Sequence, residues 1–419
     1  MKIMKTIFRL VSFLLCATAA IPWLLANGYA QSTRPNTCAI LAGRITPDFS
    51  MQIKPADHSV LQQMFRNQVY LNCMQFHVQQ GPLGETAPAN GGANTTNAGI
   101  FITFDVPDAL STMPAAINPA AAVTGTYFDA EELFHSFLRS SDGIITAFDP
   151  PGATCGPSTT PAHNTCSGAV GITPEGIIVG SYADVNDVIH GYLRAPNGVF
   201  TVFDAPGSTF TNPTSINPAG AITGGFFVTG SFGAHGFSRT RNGTFTTFDP
   251  LGSTYTNPTA INPAGAITGF YIDASDTFHG FLRAPDGTIT AFDPLGSTFT
   301  NPTAINPSGA LTGFYMDASG TFHGFLRAPD GTFTTFDPSG SVLTGAFGIN
   351  PAGIIVGDFF PPDFSVQHGF QRARDGTIIV FDPPGSVATI PAAINPAGVI
   401  TGNFTPSDFS AGHGFLGRP

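Results

Sequence analysis

Residues 259–293, TAINPAGAITGFYIDASDTFHGFLRAPDGTITAFD, return almost letter for letter as residues 303–337. Two near-identical segments 44 residues apart adopt one local structure, and each must bury its apolar positions against a neighbour of the same kind. A chain of 419 residues would otherwise suggest two or three domains, whereas an array can use that length as one body.

Three anchors carry the pattern over most of the chain. A Phe-Asp pair places Asp105, Asp149, Asp204, Asp249, Asp293, Asp337 and Asp382, and a His-Gly-Phe triplet or close variant places His135, His190, His235, His279, His323, His368 and His413. Successive anchors lie 44 or 45 residues apart, with one interval of 55 in each series. Ile-Asn-Pro recurs at Asn118, Asn217, Asn262, Asn306, Asn350 and Asn395, and Ile172-Thr173-Pro174 stands where one copy is missing.

Within a copy, Asn262-Pro263-Ala264-Gly265 and Ala284-Pro285-Asp286-Gly287 have the residues of tight turns ending in a left-handed glycine. They divide the copy into four short strands, expected near residues 259–261, 266–271, 279–283 and 288–292. The composition agrees: 49 Gly and 36 Pro against 10% charged residues suit strands and turns and leave little room for helix. The array opens with a fourth strand near residues 100–105 and stops after a third near residues 413–416, so each end supplies what the other lacks. The expected fold is all-β, a seven-bladed β-propeller of four-stranded antiparallel blades over residues 99–419, its ring closed by pairing the N-terminal strand with the C-terminal blade. An open superhelix or β-helix is the alternative.

An HGF or HSF triplet after an aromatic-rich strand, then Arg, a Pro-Asp-Gly turn and FDPPG, resembles the bacterial extracellular HAF repeats, named after a His-Ala-Phe tripeptide. The resemblance covers about residues 99–419, with Gly or Ser in place of the Ala. It implies secretion and brings no established activity with it.

The start of the chain gives the same address. Lys2, Lys5 and Arg9 precede an apolar run over residues 11–26, and Gly28-Tyr29-Ala30 forms a small-x-small cleavage site, so residues 1–30 read as a secretory signal peptide. An uncleaved anchor is the competing reading. Cys16 follows Leu14-Leu15, which argues against lipoprotein processing. Residues 31–80 form a small N-terminal segment of unknown fold, and residues 81–98 read as a linker. Net charge falls from −11 to −14 once Lys2, Lys5 and Arg9 leave with the signal, which excludes nucleic acid as a partner. Lys54 is then the sole lysine, too little for lysine-based chemistry. Four cysteines also remain, an even number suited to disulfides in an exported chain; Cys155 with Cys166 is the local pair, which leaves Cys38 with Cys73.

Strand order puts the two tight hairpins of each copy on one face and the longer loops on the other, so binding is expected on the long-loop face. There His279 begins the third strand where Asp293 ends the fourth. A pair repeated in every copy reads as a structural staple, since a catalytic site is normally used once; general-base or metal chemistry is the competing reading. Aspartates six residues before the histidine, at Asp129, Asp184, Asp273 and Asp317, or five before, at Asp363 and Asp408, are turn formers that could also offer hard oxygens to calcium. No other cofactor is implied. An arginine four after the histidine, from Arg139 to Arg372, is absent only from the final copy, which has Gly417. The insertion over residues 154–167 accounts for the interval of 55 and departs most from the pattern.

No nucleophile elbow, His-Glu-x-x-His, phosphate loop or paired Cys-x-x-Cys motif occurs. The expected function is therefore that of a secreted, monomeric, non-catalytic propeller binding a glycan or an extracellular protein. A secreted hydrolase or lyase with its site at the central channel, and an architectural envelope protein, are the alternatives.

Overall fold

The computed structural model describes residues 99–419 except 132, 155–165, 187, 229–232 and 409–410. The signal peptide, the segment 31–80, the linker, and Cys38, Cys73 and Cys155 lie outside the described residues. Among those described, every regular element is a β-strand, from Ile100–Phe104 to His413–Arg418.

Each repeat forms one four-stranded antiparallel unit. In one of them Ser253–Ile261, Ile267–Asp273, Phe278–Arg283 and Ile289–Phe292 pair in sequence order. Gly265 and Gly287 take φ of 85° and 95° in the two hairpins, a region that Cβ-bearing residues avoid. The first strand corrects the expected residues 259–261, since it starts six residues earlier, at Ser253. In the next unit it runs Ser297–Ile305, because Ser-Thr-Phe-Thr are strand formers and Pro302 does not stop them. The register shifts between Pro302 and Ala304, so the proline sits at a bulge where its missing N–H costs little. Gly313, opposite Pro302, answers that crowding: a Cβ there would lie 2.1 Å from the Asn301 carbonyl oxygen.

The core lies between units. Phe292, which ends one unit, packs with Ile305, Leu311, Tyr315 and Phe325 of the next, and Phe248 and Phe336 do the same one unit away on either side. Fully burying each such ring contributes about 1.5–3 kcal/mol. Single parallel bridges, such as Phe278 to Phe299, tie neighbouring units near the long-loop edge.

A second tie runs through the Ile-Asn-Pro turns. Asn262 Oδ1 accepts from Ala266 N at 2.9 Å and closes its own turn, while its Nδ2 donates to the Asn306 carbonyl at 3.3 Å. Asn306 donates likewise to Asn350 at 3.4 Å, Asn350 to Asn395 at 3.4 Å, and Asn395 to Asn118 at 3.2 Å, which spans the two ends of the array. Thr173 breaks the series. Its Oγ1 accepts from Ile177 N at 3.1 Å and so caps the turn, but a threonine has no amide to pass on. Asn306→Ala should therefore cost about 2–3 kcal/mol of stability, and Asn306→Thr about 1, because threonine keeps the cap and loses only the link. Urea unfolding of the two variants checks the ranking.

The ends meet directly. Ile100–Phe104 pairs antiparallel with the last strand, from Ile100↔Arg418 to Phe104↔Gly414, and completes a four-stranded sheet with Ser386–Ile394 and Ile400–Pro406.

Candidate functional site: the long-loop edge

Every His-Gly-Phe histidine begins a third strand beside the end of a fourth, and this register sets its partner. Nδ1 lies 2.7 Å from Asp149 in His135, 3.0 Å from Asp204 in His190, 2.7 Å from Asp249 in His235 and 2.6 Å from Asp293 in His279. His323 reaches Asp337 at 2.7 Å and His368 reaches Asp382 at 2.7 Å. His413 takes Asp105 at 2.9 Å, from the opposite end of the repeats. A tyrosine or phenylalanine ring lies beside each imidazole, for example Tyr271 with its centroid 5.1 Å from that of His279.

The same carboxylates reach into the next unit. Asp293 Oδ1 accepts from Thr300 at 2.6 Å, Asp249 from Thr256 at 2.6 Å, Asp382 from Thr389 at 2.7 Å and Asp149 from Ser167 at 2.6 Å. The His-Asp pair thus joins two strands of one unit to the first strand of the following one.

Four of the loop aspartates approach the other ring nitrogen: Asp129 at 3.1 Å from His135 Nε2, Asp184 at 3.6 Å from His190, Asp273 at 3.4 Å from His279 and Asp317 at 3.4 Å from His323. In His135, His279 and His323 the carboxylates at both ring nitrogens favour the imidazolium. The hydrogen bond to Asp149 raises the pKa of His135 against the opposing effect of burial. In His279 and His323, burial works against the charge and is outweighed by the two carboxylates together.

Folded-state pKa values above the ordinary histidine range mean that this stabilisation is complete below about pH 6.5 and is lost as pH rises through the raised values. With His279→Gln and His323→Gln combined, the decline in melting temperature between pH 6 and pH 9 should become shallower. The pairs are partly exposed, so each contributes about 1 kcal/mol or less.

The loop aspartates are also committed to their own turns. Asp273 Oδ1 accepts from Ser275 N at 2.7 Å and Thr277 N at 3.0 Å. Asp129, Asp184 and Asp317 bind their loops in the same way. Hydrogen bonds from Ser319 and Thr321 depress Asp317 to about 2. Asp363 turns to Ser365, whose N and Oγ lie at 3.1 and 2.8 Å, and Asp408 lies in the corresponding loop of the last unit. Among the described residues no three histidine, cysteine, aspartate or glutamate side chains converge to hold a metal ion. In Asp129, Asp184, Asp273 and Asp317 one oxygen is taken by the loop and the other faces a histidine, an arrangement that does not suit calcium.

The arginines lie away from this edge. Arg283 Cζ stands 4.9 Å over Phe248 of the preceding unit, Arg327 over Phe292 at 4.9 Å and Arg372 over Phe336 at 4.9 Å; Arg139, Arg194 and Arg239 stack likewise. They carry a cation–π contact between units. In the last unit, where Gly417 replaces the arginine, Phe101 stacks on Phe381 at 5.8 Å instead.

Three features of this edge escaped the sequence reading. The first is a row of half-buried rings: Tyr255 with Phe270 at 6.1 Å, Phe270 with Phe278 at 5.6 Å, Phe278 with Phe299 at 5.0 Å, Phe299 with Phe314 at 6.1 Å and Phe314 with Phe322 at 5.9 Å. The second lies one unit further on, where buried Asp358 and Gln367, 2.6 Å apart, replace such a ring pair. The third is beside the insertion, where Ser136 Oγ lies 2.6 Å from Ser167 Oγ and 3.0 Å from the buried Tyr192 hydroxyl. Its signal was in the sequence: Ser136, Ser167 and Tyr192 replace the Gly, Thr and Phe of other copies. Cys166, also buried, places Sγ 3.9 Å from His135 Nε2.

Comparison with known proteins places this geometry. No family model matches the chain, and no curated protein matches it. Among solved structures, a prolyl endopeptidase described in an analysis of two such enzymes shares 10% identity at a TM-score of 0.52, over 74% of this chain and 50% of that one. TolB from Acinetobacter baumannii shares 10% identity at 0.42, over 71% and 63%, and the Aleuria aurantia lectin 12% at 0.39, over 66% and 99%. This chain spans between half and two thirds of the length of the first two. The likeness to the prolyl endopeptidase shows the fold alone: an all-β, propeller-like arrangement of antiparallel sheets.

Proposed function

We propose that the repeats are the seven blades of a closed β-propeller, with Ile100–Phe104 completing the last blade, and that the protein is an exported, non-catalytic monomer binding a glycan or a protein through its long-loop face. The pairing of both ends and the Asn395 to Asn118 link support the closed ring. The signal-like residues 1–30 support export to the periplasm or beyond, and among the described residues no helix is long and apolar enough to cross a membrane. The row of half-buried rings from Tyr255 to Phe322 carries the binding reading, since aromatic faces side by side at a loop edge suit a ligand with apolar patches.

The serines beside the insertion lend the hydrolase alternative no support. Ser167 bonds to Asp149 and not to an imidazole, Ser136 and Ser167 are buried, and both nitrogens of His135 face carboxylates. In this reading the histidines and their aspartates hold blades together, and Cys155 pairs with Cys166.

The test uses the chain from residue 31 onward on a glycan array and a peptide panel, beside Phe278→Ala with Phe322→Ala. Binding that falls about tenfold or more in the variant supports the reading. Silence on both panels together with turnover of an ester, lactone or polysaccharide overturns it.

A further inference from the structure

The long-loop edge also carries two leucines that nothing in the fold requires. Leu251 and Leu295 occupy the same place in successive Asp-Pro-Leu-Gly turns, and both are 101% exposed. Other copies have Pro151, Pro206, Ser339 or Pro384 at that place, so the turn does not need leucine. Each leucine stands four residues before a ring of the aromatic row, Tyr255 or Phe299, at the start of the same first strand. Fully exposed leucine on neighbouring turns, near half-buried rings, forms an apolar sector on consecutive units.

The sign of the surrounding charge is segregated. Every arginine of the described residues lies at the hairpin edge: Arg139, Arg194, Arg239, Arg283, Arg327, Arg372 and Arg418 in the second half of third strands, Arg241 and Arg374 in the turns that follow. No lysine occurs beyond residue 54. Among the described residues the long-loop edge is therefore free of basic side chains other than its histidines, and it holds the aspartates of the seven His-Asp pairs and of the loops. Its apolar sector is framed by His-Asp pairs and loop aspartates, in which carboxylates outnumber imidazoles.

We propose that the long-loop face docks a cationic protein segment that also carries apolar side chains, with Leu251 and Leu295 as the anchors and the carboxylates around them selecting basic residues. This deepens the binding reading above and rests on it. An anionic or nucleic-acid partner meets like charge there. A neutral saccharide would use the rings and leave both leucines and the charge segregation without a purpose. The carboxylates would speed encounter and set register, and the leucines would supply contact area.

The experiment measures fluorescence anisotropy of a labelled peptide of lysine and leucine in equal number, an equally charged lysine–serine peptide, and a labelled neutral oligosaccharide, each with the full chain. The lysine–leucine peptide should bind at least tenfold more tightly than the lysine–serine peptide. Leu251→Ser with Leu295→Ser should weaken it about tenfold or more at unchanged melting temperature, as should raising salt from 50 to 500 mM. Asp286→Asn with Asp330→Asn, in the opposite turns, should leave it within twofold. Equal binding of the two peptides, or an unaltered affinity in the leucine variant, overturns the proposal. Binding of the oligosaccharide without the peptides overturns it too, while leaving the binding-protein reading intact; no binding of any probe removes both.

Discussion

Asp358→Asn should stabilise the protein by roughly 3–5 kcal/mol at pH 8 and by almost nothing at pH 4. Asp358 sits on a second strand between Gly345 and Gly369, and burial raises its carboxyl to about 7 despite the hydrogen bond from Gln367. Below about pH 3.8 the folded and unfolded chains are both protonated there and the position costs nothing. Between that pH and about 7 the unfolded chain ionises while the folded one does not, so stability drains away as pH rises; above 7 the deficit is constant. Asparagine accepts the same bond from Gln367 and never ionises. Thermal melts of wild type and variant at the two pH values give the result directly, and an equal gain at both would refute a titration. Asp375→Asn, in an exposed turn, is the control.

An internal deletion of residues 99–105 should abolish cooperative unfolding. It strips the last strand of its partner, takes Phe104 out of a cluster with Val123, Phe137 and Leu416, removes Phe101 from Phe381 and leaves His413 without Asp105. Two phenylalanines are worth about 3–6 kcal/mol together, and the bared edge invites self-association. The expected product is aggregated on size exclusion, with no sharp melting transition. A deletion variant that melts within a few degrees of the parent would mean that the ends do not hold the array closed. Gly417→Arg sharpens the test, because it restores the residue that other copies carry. It should nevertheless destabilise, since a Cβ at 417 would lie 2.5 Å from the Phe101 ring.

The unit was legible because its signals are local. Turn glycines, strand formers and the His-Asp spacing all sit within one copy, and the register of neighbouring strands follows from them. The first strand extends beyond residues 259–261 because Pro258 and Pro302 sit at a bulge, which depends on a pairing that local signals do not report. What links one copy to the next was harder to see. The Asn262 amide and the Thr300 hydroxyl each find their partner one unit away, and spacing alone gives no direction to a side chain. Asp358 was in plain view in Val-Gly-Asp-Phe-Phe, where two other copies have Thr-Gly-Phe-Tyr. Its meaning depends on burial, which a pattern does not report.

The Asp105 to His413 bond joins residues 308 apart, and that separation sets an order of events. The first strand of the array made during synthesis is the fourth strand of the last sheet, so it waits for nearly the whole chain before it has a partner. Loop closure over such a distance adds little to equilibrium cost but delays completion. The repeats can each form as they are made, but the sheet that joins the two ends is completed only when the last strand is present.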